Sequence, residues 1–244
     1  MAPPLVSLDR VTKRFPNGTL ALDRIGLDVA DGEFLSLLGP SGCGKSTVLR
    51  LIAGLTRPSE GSVLWREPVA PGFVFQEPTL MPWARVIDNV RLPLSLAGTA
   101  AKDSMTRAEA ALDLVGLAGF ARHWPRELSG GMKMRVSVAR ALVMRPRLLL
   151  MDEPFAALDE ITRLKLNDEL LALWRAQRFT IVFVTHSVFE SVYLSDRIAV
   201  MTGRPGRLAE SISIAAPHPR SRLSPEHAAA CVTVSAALDR AMAA

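Results

Sequence analysis

Two cysteines in 244 residues, Cys43 and Cys231, lie far apart and lack ligand spacing, which argues against a disulfide framework. A thiol-reducing compartment suits the chain better. No stretch approaches the ~18 apolar residues that a bilayer-spanning helix needs. The start, Met1 to Arg10, has no cationic segment followed by an apolar one. The expectation is of a cytoplasmic chain that neither crosses a membrane nor is exported. Aromatic residues are few, at 6%, but 49% of residues are apolar and 22% charged, which excludes collagen-like, mucin-like and wholly disordered chains. There is ample chain to bury a core, and a single α/β domain or one domain with a small lobe is expected. Lys and Arg number 29 against 24 Asp and Glu, a net +5 that is compatible with nucleic acid, an anionic membrane surface or phosphate ligands.

Alternating apolar residues over Leu5 to Val11 and Leu20 to Val29, separated by Pro16, Asn17 and Gly18, predict an antiparallel start. A buried-strand run, Phe34 to Leu38, then ends in glycines and leads into a helix over Lys45 to Ala53. A helical pattern begins at Thr106 with a capping box to Glu109, and a second covers Gly131 to Val143. The apolar runs Arg147 to Met151 and Thr180 to Thr185 read as buried parallel strands flanking a helix over Glu160 to Arg175. Ser224 and Pro225 offer a cap and first-turn proline for a last helix, to Met242.

Three short stretches carry chemistry. Gly39, Pro40, Ser41, Gly42, Cys43, Gly44, Lys45 and Ser46 match the phosphate-loop pattern, in which glycines let backbone N–H groups curl around a phosphate chain at a helix N-terminus. Lys45 would reach the β and γ phosphates and Ser46 would ligate Mg²⁺. Leu148 to Glu153 places two carboxylates at the carboxyl end of a buried strand, the edge where open α/β sheets bind ligands. There Asp152 can hold the Mg²⁺ hydration shell and Glu153 can polarise a water for in-line attack. Ser129, Gly130 and Gly131 open a helix carrying Arg135 and Arg140, either as a plain serine cap or as a second anion site. A second anion site makes most sense if it closes over a nucleotide held by another copy.

The set Gly39 to Thr47, Gln76, Leu128 to Met132, Leu148 to Glu153, Asp159 and His186 resembles, in order and spacing, the nucleotide-binding subunit of ATP-binding cassette (ABC) transporters. The resemblance covers about residues 5 to 215. It implies an α/β phosphate-loop NTPase of ABC type, with a mostly parallel core sheet, an N-terminal antiparallel β-subdomain and a helical subdomain. It also implies one ATP-binding domain over residues 1–244, helical over about 88–144 and with a tail and helix over about 203–244. Two ATP molecules, with Mg²⁺, would be sandwiched in a head-to-tail dimer between the phosphate loop, through Thr47, of one copy and Ser129 to Gly131 of the other. Phe15 would stack on adenine, Gln76 touch Mg²⁺ and the attacking water, Asp159 bridge the copies and His186 contact the γ phosphate. Each has a plain alternative: Phe15 as core, Gln76 as a surface amide, Asp159 as a helix cap, His186 as a structural histidine. Phe15 stands where the family more often has tyrosine, Met132 where it has glutamine, and Gly61 to Phe75 is short for the family, which puts one β-hairpin in question.

The region Glu77 to Trp83 resembles the importer surface that grips a membrane subunit, with Pro82 and Trp83 as an anchor. The implied partners are a second copy, transmembrane permease subunits and, indirectly, an extracytoplasmic solute-binding protein, with no nucleic acid, at the cytoplasmic face of the bacterial inner membrane. Leu128 to Leu142, Phe155 to Trp174 and Thr185 to Arg207 resemble the nitrate, sulfonate and taurine importer group, which also holds subunits for vitamin precursors such as hydroxymethylpyrimidine and riboflavin. The alternatives are a nucleic-acid-linked ABC ATPase and an exporter subunit.

Overall fold

Alternating apolar positions bury one face of β1 (Val6–Arg14) and β2 (Leu20–Val29), and the turn between them is fixed by Asn17, whose Oδ1 accepts from the Thr19 amide at 3.1 Å. The structure, a computed structural model, describes residues 4–243; the first three residues of the start and the last of the tail lie outside the described residues. In chain order there follow β3 (Phe34–Leu38), α1 (Lys45–Ile52), β4 (Glu60–Trp65), β5 (Gly72–Val74), α2 (Val86–Leu96), α3 (Ala101–Leu114) and α4 (Gly130–Leu142). Then come β6 (Leu148–Asp152), α5 (Glu160–Gln177), β7 (Thr180–Thr185), α6 (Val188–Leu194), β8 (Arg197–Met201), β9 (Leu208–Ser213) and α7 (Pro225–Ala243). The fold is mixed α/β, as the sequence implies. Among the described residues no helix is long and apolar enough to cross a membrane.

The chain divides into two compact units, one running up to Ala70 and resuming at Phe179, the other Pro71–Arg178. In the first, β1 pairs antiparallel with both β2 and β4, so the compressed stretch after Gly61 still contributes a full strand. Strand β3 pairs parallel with β7 on one side and β8 on the other, and β9 adds antiparallel to β8. Every residue of β3, β6 and β7 is buried, which is why all three are dominated by apolar residues, with Ser36 inside β3 and polar residues only at the ends of the other two.

The C-terminal helix α7 packs Val234, Ala237 and Ala241 against Leu38, Val192, Ile198 and Val200. Just before it, the buried Arg220 donates to the carbonyls of Val192 (2.8 Å), Tyr193 (3.2 Å) and Ser195 (2.8 Å), satisfying the open C-terminus of α6. Ser224 caps α7 as expected, accepting from the His227 amide at 3.2 Å. His227 is 2% exposed, lies edge-on to Phe189 at 4.7 Å and turns Nδ1 toward the Cys231 thiol at 3.6 Å. Burial, then the nearby guanidinium groups of Arg220 and Arg222, push its pKa below the ordinary histidine value. The unfolded chain therefore takes up this proton first, and stability falls as pH drops through the ordinary value near 6.5. In urea titrations between pH 8 and 5, His227→Leu is expected to flatten that part of the slope; an unchanged slope would contradict the assignment.

The second unit joins β5 to β6 in parallel. Its helices α2, α3 and α4 share a core of Val86, Val90, Leu94, Ala108, Leu112, Val136, Ala139 and Val143. Here one expectation fails. Helix α3 begins at Ala101, and Thr106 lies inside it with Oγ1 donating to the Lys102 carbonyl at 3.2 Å, so there is no capping box with Glu109. The helical face starts earlier than its apolar residues because Ser104 is its first buried member, accommodated in the core through a 3.1 Å bond from Arg91 Nε.

Candidate functional site

In the first unit β3 delivers the chain into the glycine loop. A Cβ on Gly39 would stand 2.9 Å from the Met201 carbonyl, and one on Gly44, at φ +102°, would stand 2.6 Å from Leu22 Cδ2. Gly42 is also left-handed, at φ +76°. Only glycine fits such close approaches and such backbone. The loop from Gly39 through Pro40, Ser41, Gly42 and Cys43 folds around Lys45, whose ammonium donates to the carbonyls of Gly39 at 2.7 Å and Pro40 at 3.0 Å. At 4% exposure this is an enclosed cation. Ser46 and Thr47 stand half-buried in the first turn of α1, which holds no acidic residue and no side-chain cap. Such an N-terminus, with a cation beside it, is built for an anion of several charges.

A second wall of the loop is not legible in the sequence. The turn between β8 and β9 closes on it: Gly206 donates to the Ala21 carbonyl at 2.9 Å and accepts from the Asp23 amide at 3.0 Å, while Arg204 donates to the Gly42 carbonyl at 3.3 Å. Arg207 pairs with Asp23 at 2.6 Å and, by that hydrogen bond, holds the Asp23 carboxyl below its usual range. A Cβ on Gly206 would overlap the Cys43 carbonyl, so the phosphate loop must shift to admit one. Gly206→Ala is expected to cost about 1–3 kcal/mol of stability, the usual range for overpacking, and to weaken nucleotide binding; denaturation and nucleotide titration check both.

His186 is exposed and follows β7 directly. Leu38 pairs in register with Thr185, so Gly39 and His186 leave adjacent strands at the same carboxyl edge. The histidine backbone is fixed by a small network: Thr185 Oγ1 donates to buried Glu190 at 2.6 Å and accepts from the Ser187 amide at 3.0 Å, and Ser187 caps α6. Phe15, also in this unit, lies half-buried beyond β1 with the Lys13 ammonium 5.4 Å from its ring centroid. It is not core.

The second unit carries the remaining residues. Asp152 ends β6, and Glu153 follows at φ +44°, a left-handed and strained backbone for a glutamate at the strand end. Ser129 caps α4, accepting from the Met132 amide at 3.3 Å, and Asp159 caps α5, accepting from the Thr162 amide at 2.9 Å. The hydrogen bond from Thr162 keeps the exposed Asp159 carboxyl below its usual range. The capping roles are therefore present, and each uses only part of the side chain's acceptor capacity. A Cβ on Gly131 would meet Thr162 Cγ2 at 2.8 Å, so the N-termini of α4 and α5 lie side by side.

Gln76 is exposed just after β5. Beyond it, Asn89, buried in α2, accepts from the Met81 amide at 2.7 Å and donates to the carbonyls of Met81, Ala84 and Arg85. That amide shapes the loop on which Trp83 stands 76% exposed. No periodic pattern or motif marks such a residue in the sequence. The oxygen donors of Ser46, Asp152 and Gln76 are the hard ligand type that Mg²⁺ takes.

The family model described as ABC transporter matches residues 22–156. Over 235 residues the chain is 48% identical to an ATP-binding protein of Brucella abortus, covering 93% of this chain and 90% of that one. It is 46% identical over 213 residues to the aliphatic sulfonates import ATP-binding protein SsuB of Bacillus licheniformis, covering 85% and 82%. Among solved structures, the dimeric post-hydrolysis state of the ATP-binding cassette MJ0796 bound to ADP and Pi matches with a TM-score of 0.76 and 33% identity, over 88% of this chain and 99% of that one.

Proposed function

The chain belongs to the ABC transporter family and is an ATPase of that family; on this premise we propose that it powers uptake of a small solute through separate permease subunits. The observation that carries the reading is the glycine loop closed around Lys45, with His186 leaving the neighbouring strand in register. Both units together would make one ATP-binding domain. The loop Gly39–Thr47 would wrap the phosphates, Lys45 exchanging the Gly39 and Pro40 carbonyls for β and γ oxygens, while Phe15 stacks on adenine. Ser46, Asp152 and Gln76 would hold Mg²⁺, which when bound neutralises phosphate charge. Glu153 would take a proton from the attacking water and His186 would contact the γ phosphate.

Catalysis would need a second copy. Ser129, Gly130 and Gly131 of one copy would close over the nucleotide of the other, with Asp159 bridging them, a pairing supported by the dimeric cassette relative. Binding would draw the pair together, and hydrolysis would release it.

The importer direction is supported by the SsuB relative and by the loop from Glu77 to Trp83, which Asn89 holds with Trp83 outward as an anchor for a permease. The protein would sit at the cytoplasmic face of the inner membrane and meet a solute-binding protein only through the permease. Aliphatic sulfonates are the first solutes to test, ahead of nitrate, taurine and vitamin precursors. A strain lacking the gene should lose growth on an aliphatic sulfonate as sole sulfur source and regain it with the wild-type gene but not with Glu153→Gln. Undiminished growth of the deletion strain, with other sulfonate uptake routes removed, would overturn the solute reading.

A further inference from the structure

The far end of α4 holds a second structural device. This helix has 13 residues, a rod of about 20 Å at 1.5 Å per residue. Ser129 caps one end. At the other, Arg140 spreads its guanidinium over the chain that follows Gln76: Nη1 donates to the Thr79 carbonyl at 2.9 Å, and Nη2 donates to the Pro78 carbonyl at 2.8 Å and to Thr79 Oγ1 at 2.9 Å. Thr79 is held at φ +46°, a left-handed conformation unfavourable for a β-branched residue and sustained here by those bonds. On the near side of Gln76 the grip is steric, because a Cβ on Gly72 would stand 3.0 Å from the Ala141 carbonyl. The chain from β5 to Thr79 thus wraps the last turn of α4, touching it before and after Gln76, which stands exposed between the two contacts. Beyond Thr79 the same loop is fixed again by Asn89.

We propose that Arg140 is a positioning residue for hydrolysis: it locks the Gln76 segment to α4, so that Gln76 and the Ser129–Gly131 end move as one rigid piece. The guanidinium does this as only a planar fork can, taking three acceptors on two consecutive residues. Burial lowers its pKa from the ordinary arginine value, yet arginine stays charged across the working range. The inference rests on the proposed role of Gln76 at Mg²⁺ and the attacking water.

The test is a double-mutant cycle on steady-state ATPase activity of the purified full chain with Mg-ATP, using Arg140→Gln, Gln76→Ala and the pair. Arg140→Gln is expected to lower kcat on the order of 10- to 100-fold, the cost of slight misplacement, with KM for ATP little changed. In the Gln76→Ala background the same substitution should cost almost nothing further. Arg140→Lys, which keeps the charge without the fork, should recover only part of the rate, and it carries the cycle if the Gln variant melts too low to assay. Additive losses, or a raised KM with kcat intact, would overturn the role of Arg140. An unchanged kcat in Gln76→Ala alone would instead overturn the role given to Gln76.

Discussion

Glu153→Gln is expected to stop turnover while leaving Mg-ATP bound. The carboxylate follows the buried strand β6 on a backbone strained to φ +44°, and the amide that replaces it has nearly the same size and shape. Folding and nucleotide contacts should therefore persist, and only the proton-accepting capacity is lost. General-base catalysis contributes about 10²- to 10⁴-fold, so kcat should fall by that factor. Because hydrolysis is what would let a closed pair open, ATP should then accumulate on a dimer. Size-exclusion chromatography with Mg-ATP should show the variant shifted to twice the mass, and the wild type at lower occupancy of that form. A variant that still turns over near the wild-type rate would remove Glu153 from the chemistry.

Lys45→Ala acts one step earlier, on binding. Its ammonium is the cation around which the loop closes, bonded to the carbonyls of Gly39 and Pro40. Two charge-assisted bonds to phosphate at about 1.5–3 kcal/mol each amount to a loss on the order of 100-fold or more in affinity. Titration with a fluorescent ATP analogue measures it. The same substitution leaves the buried Gly39 carbonyl and the part-buried Pro40 carbonyl without that donor, at about 1–3 kcal/mol, so the variant should melt lower yet still fold. Comparison of the melting shift with the binding loss separates the two effects: a variant that is destabilised but binds ATP normally would contradict the assignment.

Much of this architecture is legible in the sequence, for reasons that differ by element. Strands β3 and β7 appear with the bounds read for them because both faces of each are buried, and burial on both faces admits apolar side chains at almost every position of a short strand. The glycine loop is legible because its backbone demands are local to a few positions. Helix α3 is not, since its first core residue is Ser104, whose polarity hides the start of the apolar face. Gly206 looks like punctuation beside Pro205; its neighbour is the Cys43 carbonyl, and the adjoining Arg204 bonds to Gly42 across 162 positions of sequence. Asn89 and Arg140 escape for a third reason. Their bonds go mostly to main chain, which any sequence offers, so no partner residue type marks these roles.

The parallel register of β3 against β7 has one more bearing on how the molecule handles its ligand. Leu38 and Thr185 sit side by side in a ladder buried on both faces, so the phosphate loop and His186 are fixed to each other before any nucleotide arrives. A seat made ready by folding exacts little ordering entropy when it is filled. On the proposed nucleotide roles of Lys45 and His186, the free energy of ATP capture would not be consumed in shaping that seat and would remain available to drive displacement of other parts of the molecule.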